Sequence, residues 1–337
     1  MQDSTGAGSK ISACARLRVR QGPEMGYMKS VEACGQSAAE ASQKVREDLL
    51  ASLAGPAGMT LRQTEKCKIC GAEAPLFEVV DFNRNCHPQK YSHGLVGVPV
   101  YFHRCNQCGF VFTRAFDEFS ADNWRRFVYN EEYFANLDPD YKATRPRLNA
   151  EVLMAICKVF GQKNVLAADY GGGNGALSTI LRNRQIEYYT HDPYDLSDIP
   201  EQYIGKFNVV SSFEVLEHTT NPTGTFRAIL KLVGARFLLV LSTQCSHGLI
   251  DGTRRLAWHY VAPRNGHVSI YTRQSLRHIA TTFTLDYLPV SRGLHLFGRG
   301  LSLQPFKYAA GLVKLKQRVM SMISRKHRLN VFDGIET

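Results

Sequence analysis

From residue 164 onward the chain alternates short apolar runs with longer segments whose apolar positions recur every three or four residues. The runs at 164–169, 186–191, 207–213 and 236–242 predict strands. The segments at 175–184, 223–233 and 273–281 predict helices. Strand and helix in turn predict an α/β fold with a doubly wound, mostly parallel sheet. Only 14 residues separate Asp192 from Phe207, which is short for a full helix plus strand. A third strand there is expected to be reduced or absent. Phe283 to Val290 and Leu294 to Gly298 are expected to close the sheet as a terminal pair.

The pattern changes upstream. Residues 1–59 are rich in Ala, Ser and Gly with few aromatics, so they are expected to be a disordered tail, with at most a loose helix around Ala38 to Leu53. Such a segment reads as dispensable, or as the product of an upstream misreading of the start codon. Residues 60–115 carry paired cysteines and read as a small metal module. Residues 116–160 read as a helical lid or linker, with aromatics from Trp124 to Tyr129 and at Tyr133 and Phe134, and a helix from about Arg147 to Phe160. The main domain then spans 161–300. Residues 301–337 form a basic terminal helix or tail.

Composition is that of an ordinary globular protein, 44% hydrophobic and 21% charged. No apolar run reaches the roughly 20 residues of a membrane helix, and the N-terminus lacks a secretory core. A cytoplasmic enzyme is the expectation. The net charge is +11, much of it local. Leu301 to Val331 holds seven Lys and Arg and no acid, with apolar residues interleaved. That pattern allows a phosphate-reading or membrane-surface helix. The reading preferred is a docked helix with a solvated basic face, because the apolar residues do not segregate onto one side.

The densest chemical signal is Asp169-Tyr170-Gly171-Gly172-Gly173-Asn174-Gly175, between an apolar run and a helical pattern. Glycines at 171, 173 and 175 allow a tight turn and close approach of a ligand. Asp169 should end the strand and face that ligand. It would repel a pyrophosphate and attract a cation. Asp192 follows roughly 20 residues after the turn, where an acid accepts hydrogen bonds from ribose hydroxyls.

These residues resemble the class I S-adenosylmethionine-dependent methyltransferases. Asp169 to Gly175 matches that family's D-x-G-x-G-x-G motif, and Asp192-Pro193 resembles its ribose-binding acid. Phe207-Asn208-Val209-Val210 and Phe213-Glu214-Val215-Leu216-Glu217-His218 match its fourth strand and a following E-V-L-E-H. Asn208 stands where the family usually has Asp. The resemblance covers roughly residues 145–300. It implies a Rossmann-like methyltransferase fold, S-adenosylmethionine as donor, and a donor site made by Asp169, Gly171, Gly173, Gly175, Asp192 and Phe213. An NAD(P)-dependent oxidoreductase is the rival enzyme class, since Gly171-x-Gly173-x-x-Ala176 satisfies a loose dinucleotide pattern.

Glu214, Glu217 and His218 follow the fourth strand at a spacing that places them on one side of a helical turn. His267 lies in a later segment where acceptor-binding residues would come. Three readings stand. A histidine acts as general base, with a Glu orienting it. Alternatively, Glu214, Glu217, His218 and His267 bind Mg²⁺ or Mn²⁺, which acidifies an acceptor hydroxyl. Similar E-x-x-E-H arrangements occur in ubiquinone-pathway and small-RNA methyltransferases, where they resemble a metal site. In the third reading these residues only close a loop. The expected reaction is O-methylation of a small metabolite or a sugar-containing acceptor. Nucleic acid is a less favoured partner.

Cys67-x-x-Cys70-Gly and Cys105-x-x-Cys108-Gly form two matching knuckles. Together they supply the four thiolates of a structural Zn²⁺ site. Cys86-His87, in the 34-residue insert, offers a substitute ligand. An iron–sulfur site or paired core cysteines are the alternatives. A zinc-containing nucleic-acid-binding protein is the non-enzymatic rival.

Overall fold

The computed structural model describes residues 43–52, 62–87, 94–141, 144–251, 253 and 255–332, with side chains placed through residue 323. Two sheets organise it. The larger has six strands in the order β10-β11-β8-β7-β5-β6. Its members are β5 (Leu166–Tyr170), β6 (Glu187–His191), β7 (Phe207–Phe213), β8 (Val233–Ser242), β10 (Asp286–Pro289) and β11 (Leu294–Arg299). Strands β6, β5, β7 and β8 run parallel, while β11 and β10 are antiparallel additions at one edge. Every side chain of β8 from Phe237 to Ser242 is buried, as a strand covered on both faces requires.

No described strand lies beyond β6. Residues 192–206 make only an isolated bridge, His191 to Ser197, and a short turn at Glu201–Tyr203. The brief spacing after Asp192 leaves no room for more.

The smaller sheet has the order β1-β2-β3-β4-β9 and is wholly antiparallel. Strands β1 (Thr64–Lys66), β2 (Glu73–Asp81), β3 (Pro99–Arg104) and β4 (Val111–Thr113) come from the cysteine module. The fifth, β9 (Ser269–Ile270), comes from the main domain and pairs Val111 with Ile270 and Phe112 with Ser269. The cysteine module is therefore not closed on itself. Its sheet is completed by the segment that carries His267.

A helix over 43–52, α1, buries Leu49 to 1% exposure among Val80, Phe82, Val98 and Val100. Asp48 also pairs with Arg126. The helix allowed for around Ala38 to Leu53 is present over 43–52, and Leu49, Leu50 and Asp48 dock it. The rest of 1–59 lies outside the described residues.

Helix α2 (Thr144–Phe160) and α3 (Ala176–Arg182) cover one face of the large sheet; α4 (Pro222–Leu232) and α5 (Arg273–Thr282) cover the other. Between Trp124 and Leu137 the chain makes two wide turns rather than regular helix. Tyr129 N–H donates to Trp124 C=O, and Asp138 N–H to Tyr133 C=O, each at 2.8 Å. Such five-residue turns occur often beside functional sites. The last helix, α6 (Gln304–Phe332), packs on α2 through Phe306, Ala310 and Val313.

Candidate functional site

Strands β5, β6 and β7 end together at one edge of the sheet, and a cavity of about 940 Å³ opens there. Its floor is the glycine turn. Gly171 and Gly173 have φ of 75° and 52°, which only glycine adopts without strain. A side chain on Gly171 would also collide with Val215, whose Cγ2 lies 2.5 Å from where a Cβ would sit. Gly175 also has positive φ, at 75°, but it serves packing. It caps α3 and lies against Thr190, Ser178 and Leu196 rather than lining the cavity.

Asp169, next to last in β5, is 5% exposed, and its Oδ1 accepts from the Ser211 hydroxyl. Burial, reinforced by the Asp192 charge, raises its pKa to about 7. A cation bound beside it would restore the carboxylate. Asp192 lies across the turn. Its Oδ2 accepts from Gly173 N–H at 2.9 Å and its Oδ1 from Tyr194 N–H. Phe213 lines the same wall. Of the six residues expected to hold a donor, five meet at this cavity and Gly175 does not.

The roof is aromatic. Trp124, Tyr129, Tyr133 and Phe134 come from the two wide turns, and Arg145 and Asn149 from α2. Asp138 fixes Arg145 through two hydrogen bonds, at 2.5 and 3.1 Å. Arg264, only 4% exposed, donates to Val128 C=O, Asn130 Oδ1 and Glu132, and so ties this roof to the segment before His267.

His218 lines the cavity, with Glu217 and His267 buried beside it; each of the three offers a ligand atom, and these atoms lie within 4.8 Å of one another. Glu217 is fully buried. Its Oε1 accepts from the Tyr260 hydroxyl, while its Oε2 and His218 Nδ1 have no hydrogen-bond partner among the described residues. His267 donates Nδ1–H to Tyr260 C=O at 2.8 Å, which leaves Nε2 as a bare lone pair. Fixing one ring nitrogen in this way is how proteins orient a metal-bound imidazole. Two orphaned buried atoms and one oriented imidazole fit a divalent cation.

Burial drives the ionisation of all three. It raises Glu217 well above the usual carboxylate range, aided by Glu214. Burial, then His267 and Arg145, push His218 well below its usual value, and burial lowers His267 to about 4. Both imidazoles are neutral near pH 7.

Glu214 does not join them. It has φ of 54° ahead of the short turn at Leu216–His218, and its Oε1 accepts from Ser242 Oγ at 2.7 Å. The regular helical spacing expected from 214 to 218 is broken by this left-handed residue, and Glu214 lines the cavity near His218. Sequence reasoning missed Tyr260, although it lies in an aromatic run with His259. It also misplaced Cys86. The Cys86 Sγ lies 3.7 Å from His267 Nδ1, beside the acceptor wall rather than the cysteine knuckles.

The knuckles bring four sulfurs together, all within 4.8 Å of one another. Neighbouring pairs stand at 3.7 Å for Cys67 and Cys108, 3.3 Å for Cys70 and Cys105, and 3.6 Å for Cys70 and Cys108. A tetrahedral zinc with bonds of about 2.3 Å would space its sulfurs by about 3.8 Å. Both loops use the same turn. Gly71 N–H donates to Cys67 C=O at 3.0 Å, and Gly109 N–H to Cys105 C=O at 3.1 Å. Thr272 Oγ1 donates to Cys108 C=O, joining the second knuckle to the residue that follows β9 and its neighbour.

Comparison with known proteins fits this geometry. Residues 141–290 match a family model described as a methyltransferase domain. No match to the chain was found among curated proteins. Among solved structures, CurJ carbon methyltransferase is similar at 13% identity and a TM-score of 0.32, over 48% of this chain. The chain covers 57% of that protein's own length. Magnesium protoporphyrin IX methyltransferase from Synechocystis PCC 6803, with bound SAH, is similar at 16% identity and 0.30, over 46% of this chain and 84% of its own. The plantazolicin methyltransferase BpumL, in complex with a pentazolic desmethylPZN analog and SAH, is similar at 11% identity and 0.35, over 50% and 93%.

Proposed function

We propose that residues 141–290, which match a methyltransferase domain, form a class I S-adenosylmethionine-dependent methyltransferase domain and that the enzyme methylates a hydroxyl of a small metabolite or sugar-containing acceptor. In this reading Glu217, His218 and His267 hold a divalent cation such as Mg²⁺ or Mn²⁺. The observation that carries it is the close grouping of Glu217, His218 and His267 beside the cavity that His218 lines, with Glu217 Oε2 and His218 Nδ1 buried and without a hydrogen-bond partner among the described residues.

Asp169 and Asp192 orient the donor. Asp192 has the ribose role and Asp169 faces the cationic end. The aromatic roof, Trp124, Tyr129, Tyr133 and Phe134, supplies flat apolar faces that suit a ring-shaped acceptor and exclude water. A cation at the three ligands would lower the pKa of an acceptor hydroxyl. His218, neutral at the cavity wall, and Tyr260, bonded to Glu217, keep that corner preorganised. Methyl transfer from a sulfonium then needs in-line positioning more than covalent help.

The four knuckle cysteines hold a structural Zn²⁺ in this reading. Because β9 completes the knuckle sheet, the metal would also steady His267, two residues upstream of Ser269. An acidic residue where a pyrophosphate would lie disfavours an oxidoreductase, and the cavity's aromatic walls disfavour a simple nucleic-acid-binding module.

The test is an acceptor screen with methyl-labelled donor, read by product mass, with and without EDTA. Turnover should be lost on chelation and restored by Mg²⁺ or Mn²⁺. Glu217→Gln should lose most activity while still binding S-adenosylhomocysteine. Full turnover in EDTA would instead assign the acceptor proton to His218 as general base, which burial keeps in its neutral, proton-accepting form.

A further inference from the structure

Helix α6 has two apolar faces. Phe306, Ala310 and Val313 pack on α2 and the core, and Gln317 donates to Leu148 C=O at 2.8 Å and to Glu151 at 2.9 Å. The other face is not covered by any of the described residues. Tyr308, Leu312, Leu315, Val319, Met322 and Ile323 are between 44% and 69% exposed. At 3.6 residues per turn they fall within an arc of about 100°, on the side opposite the docked residues. Lys307, Lys314 and Arg318 border the stripe on one flank and Lys316 on the other. Across Leu301–Val331 no acid balances the seven Lys and Arg.

We propose that this face of α6 seats on an anionic lipid bilayer. An apolar stripe opposite the protein core, rimmed by cations, is the arrangement of a helix lying in the membrane interface. The apolar side chains would enter the acyl boundary while lysines and arginines meet lipid phosphates. Charge separates this partner from a second copy of the chain. Two such stripes packed together would set Lys316 and Arg318 against the same cations, whereas an acidic surface neutralises them. A nucleic acid would take the charges but leave the stripe in water. The helix runs antiparallel to α2, and Gln317 meets α2 near its start. That end of α2 carries Arg145 and Asn149 of the cavity wall, so the bilayer would lie at the cavity's end of the molecule. No helix among the described residues is long and apolar enough to cross a membrane, so the contact is peripheral.

The experiment is flotation of the full chain with vesicles of phosphatidylcholine alone and of phosphatidylcholine mixed with phosphatidylglycerol. The protein should float only with the mixed vesicles, and salt should release it. Leu315→Ser/Val319→Ser and Lys316→Glu/Arg318→Glu should each weaken binding at least tenfold. Their melting temperatures should stay unchanged, because all four side chains are largely exposed. Failure to float with acidic vesicles, or equal flotation of both variants and the unaltered chain, would overturn the proposal. So would a dimer in analytical ultracentrifugation that Leu315→Ser/Val319→Ser dissolves, since that places a second copy on the stripe.

Discussion

Gly172 sits between the two outer glycines of the donor turn, and its φ lies outside the left-handed region that demands glycine. Conformation therefore does not explain the residue; space does. A Cβ added there would lie 2.8 Å from Asp169 Oδ2, 2.9 Å from Thr190 Cγ2 and 3.2 Å from Asp169 Cβ. None of these can swing away. Asp169 is held by the Ser211 hydroxyl, and Thr190 is fully buried with its hydroxyl 2.5 Å from Ser178 Oγ. Gly172→Ala should therefore cost about 1–3 kcal/mol of stability by overpacking. That is a fall of about 2–4 °C in Tm for each kcal/mol. Moving Asp169 would also spoil its contact with the donor's cationic end. A hydrogen bond to a charged group contributes about 1.5–3 kcal/mol, so S-adenosylhomocysteine should bind about ten- to hundredfold more weakly. Calorimetric titration and thermal melting read the two effects separately. Gly234→Ala is the control, because its nearest neighbour is Gly205 C=O at 3.5 Å, an ordinary contact. If Gly172→Ala binds S-adenosylhomocysteine as tightly as the unaltered chain, the carboxylate beside that glycine does not hold the donor.

The remaining predictions test other parts of the molecule. Purified protein should carry about one zinc per chain by elemental analysis, and Cys105→Ser should lose both the metal and thermal stability; zinc-free protein with an unchanged Tm would refute the site. Leu49→Ala should cost about 2–5 kcal/mol in urea denaturation, and a chain beginning at Met59 should melt lower still, because Leu49 is buried in the core beside the small sheet; an unchanged Tm would return 43–52 to the status of a tail. Stability should fall with acid through His295, which burial holds down to about 4. Its Nε2–H donates to Thr243 C=O at 3.1 Å, and its other nitrogen accepts from Tyr287. Its folded pKa lies below the unfolded 6.5, so its contribution is full above pH 6.5 and is lost as pH falls towards 4. The loss amounts to at most about 3 kcal/mol. Denaturation midpoints in His295→Gln should be flatter over that window, and an identical pH dependence would dismiss this histidine.

Local spacing alone determined a large part of this protein. The strands at 207–213 and 187–191, the glycine turn and the helix behind it follow from periods of two and 3.6 and from glycine's tolerance of positive φ. The missing third strand followed from chain length, because 14 residues are too few for a full helix and a further strand. The meeting of Asp169 with Asp192 follows too, since parallel strands deliver their C-terminal residues to one edge.

Other features depended on contacts that no local pattern encodes. Glu214 left the cluster because one left-handed residue broke a helical period. Cys86 faces His267 across 181 residues of sequence separation, and β9 joins a sheet whose other strands lie more than 150 residues upstream. The docking of α1 rests on Leu49, Leu50 and the Asp48 carboxylate, too sparse a signal for a periodic reading. Helix α6 docks as the sequence led one to expect, but its second apolar stripe was hidden for the opposite reason. Two apolar stripes on opposite faces sum to a sequence that looks unsegregated, and only the packing of Phe306 and Ala310 on α2 reveals which stripe the core uses and which is left facing outward.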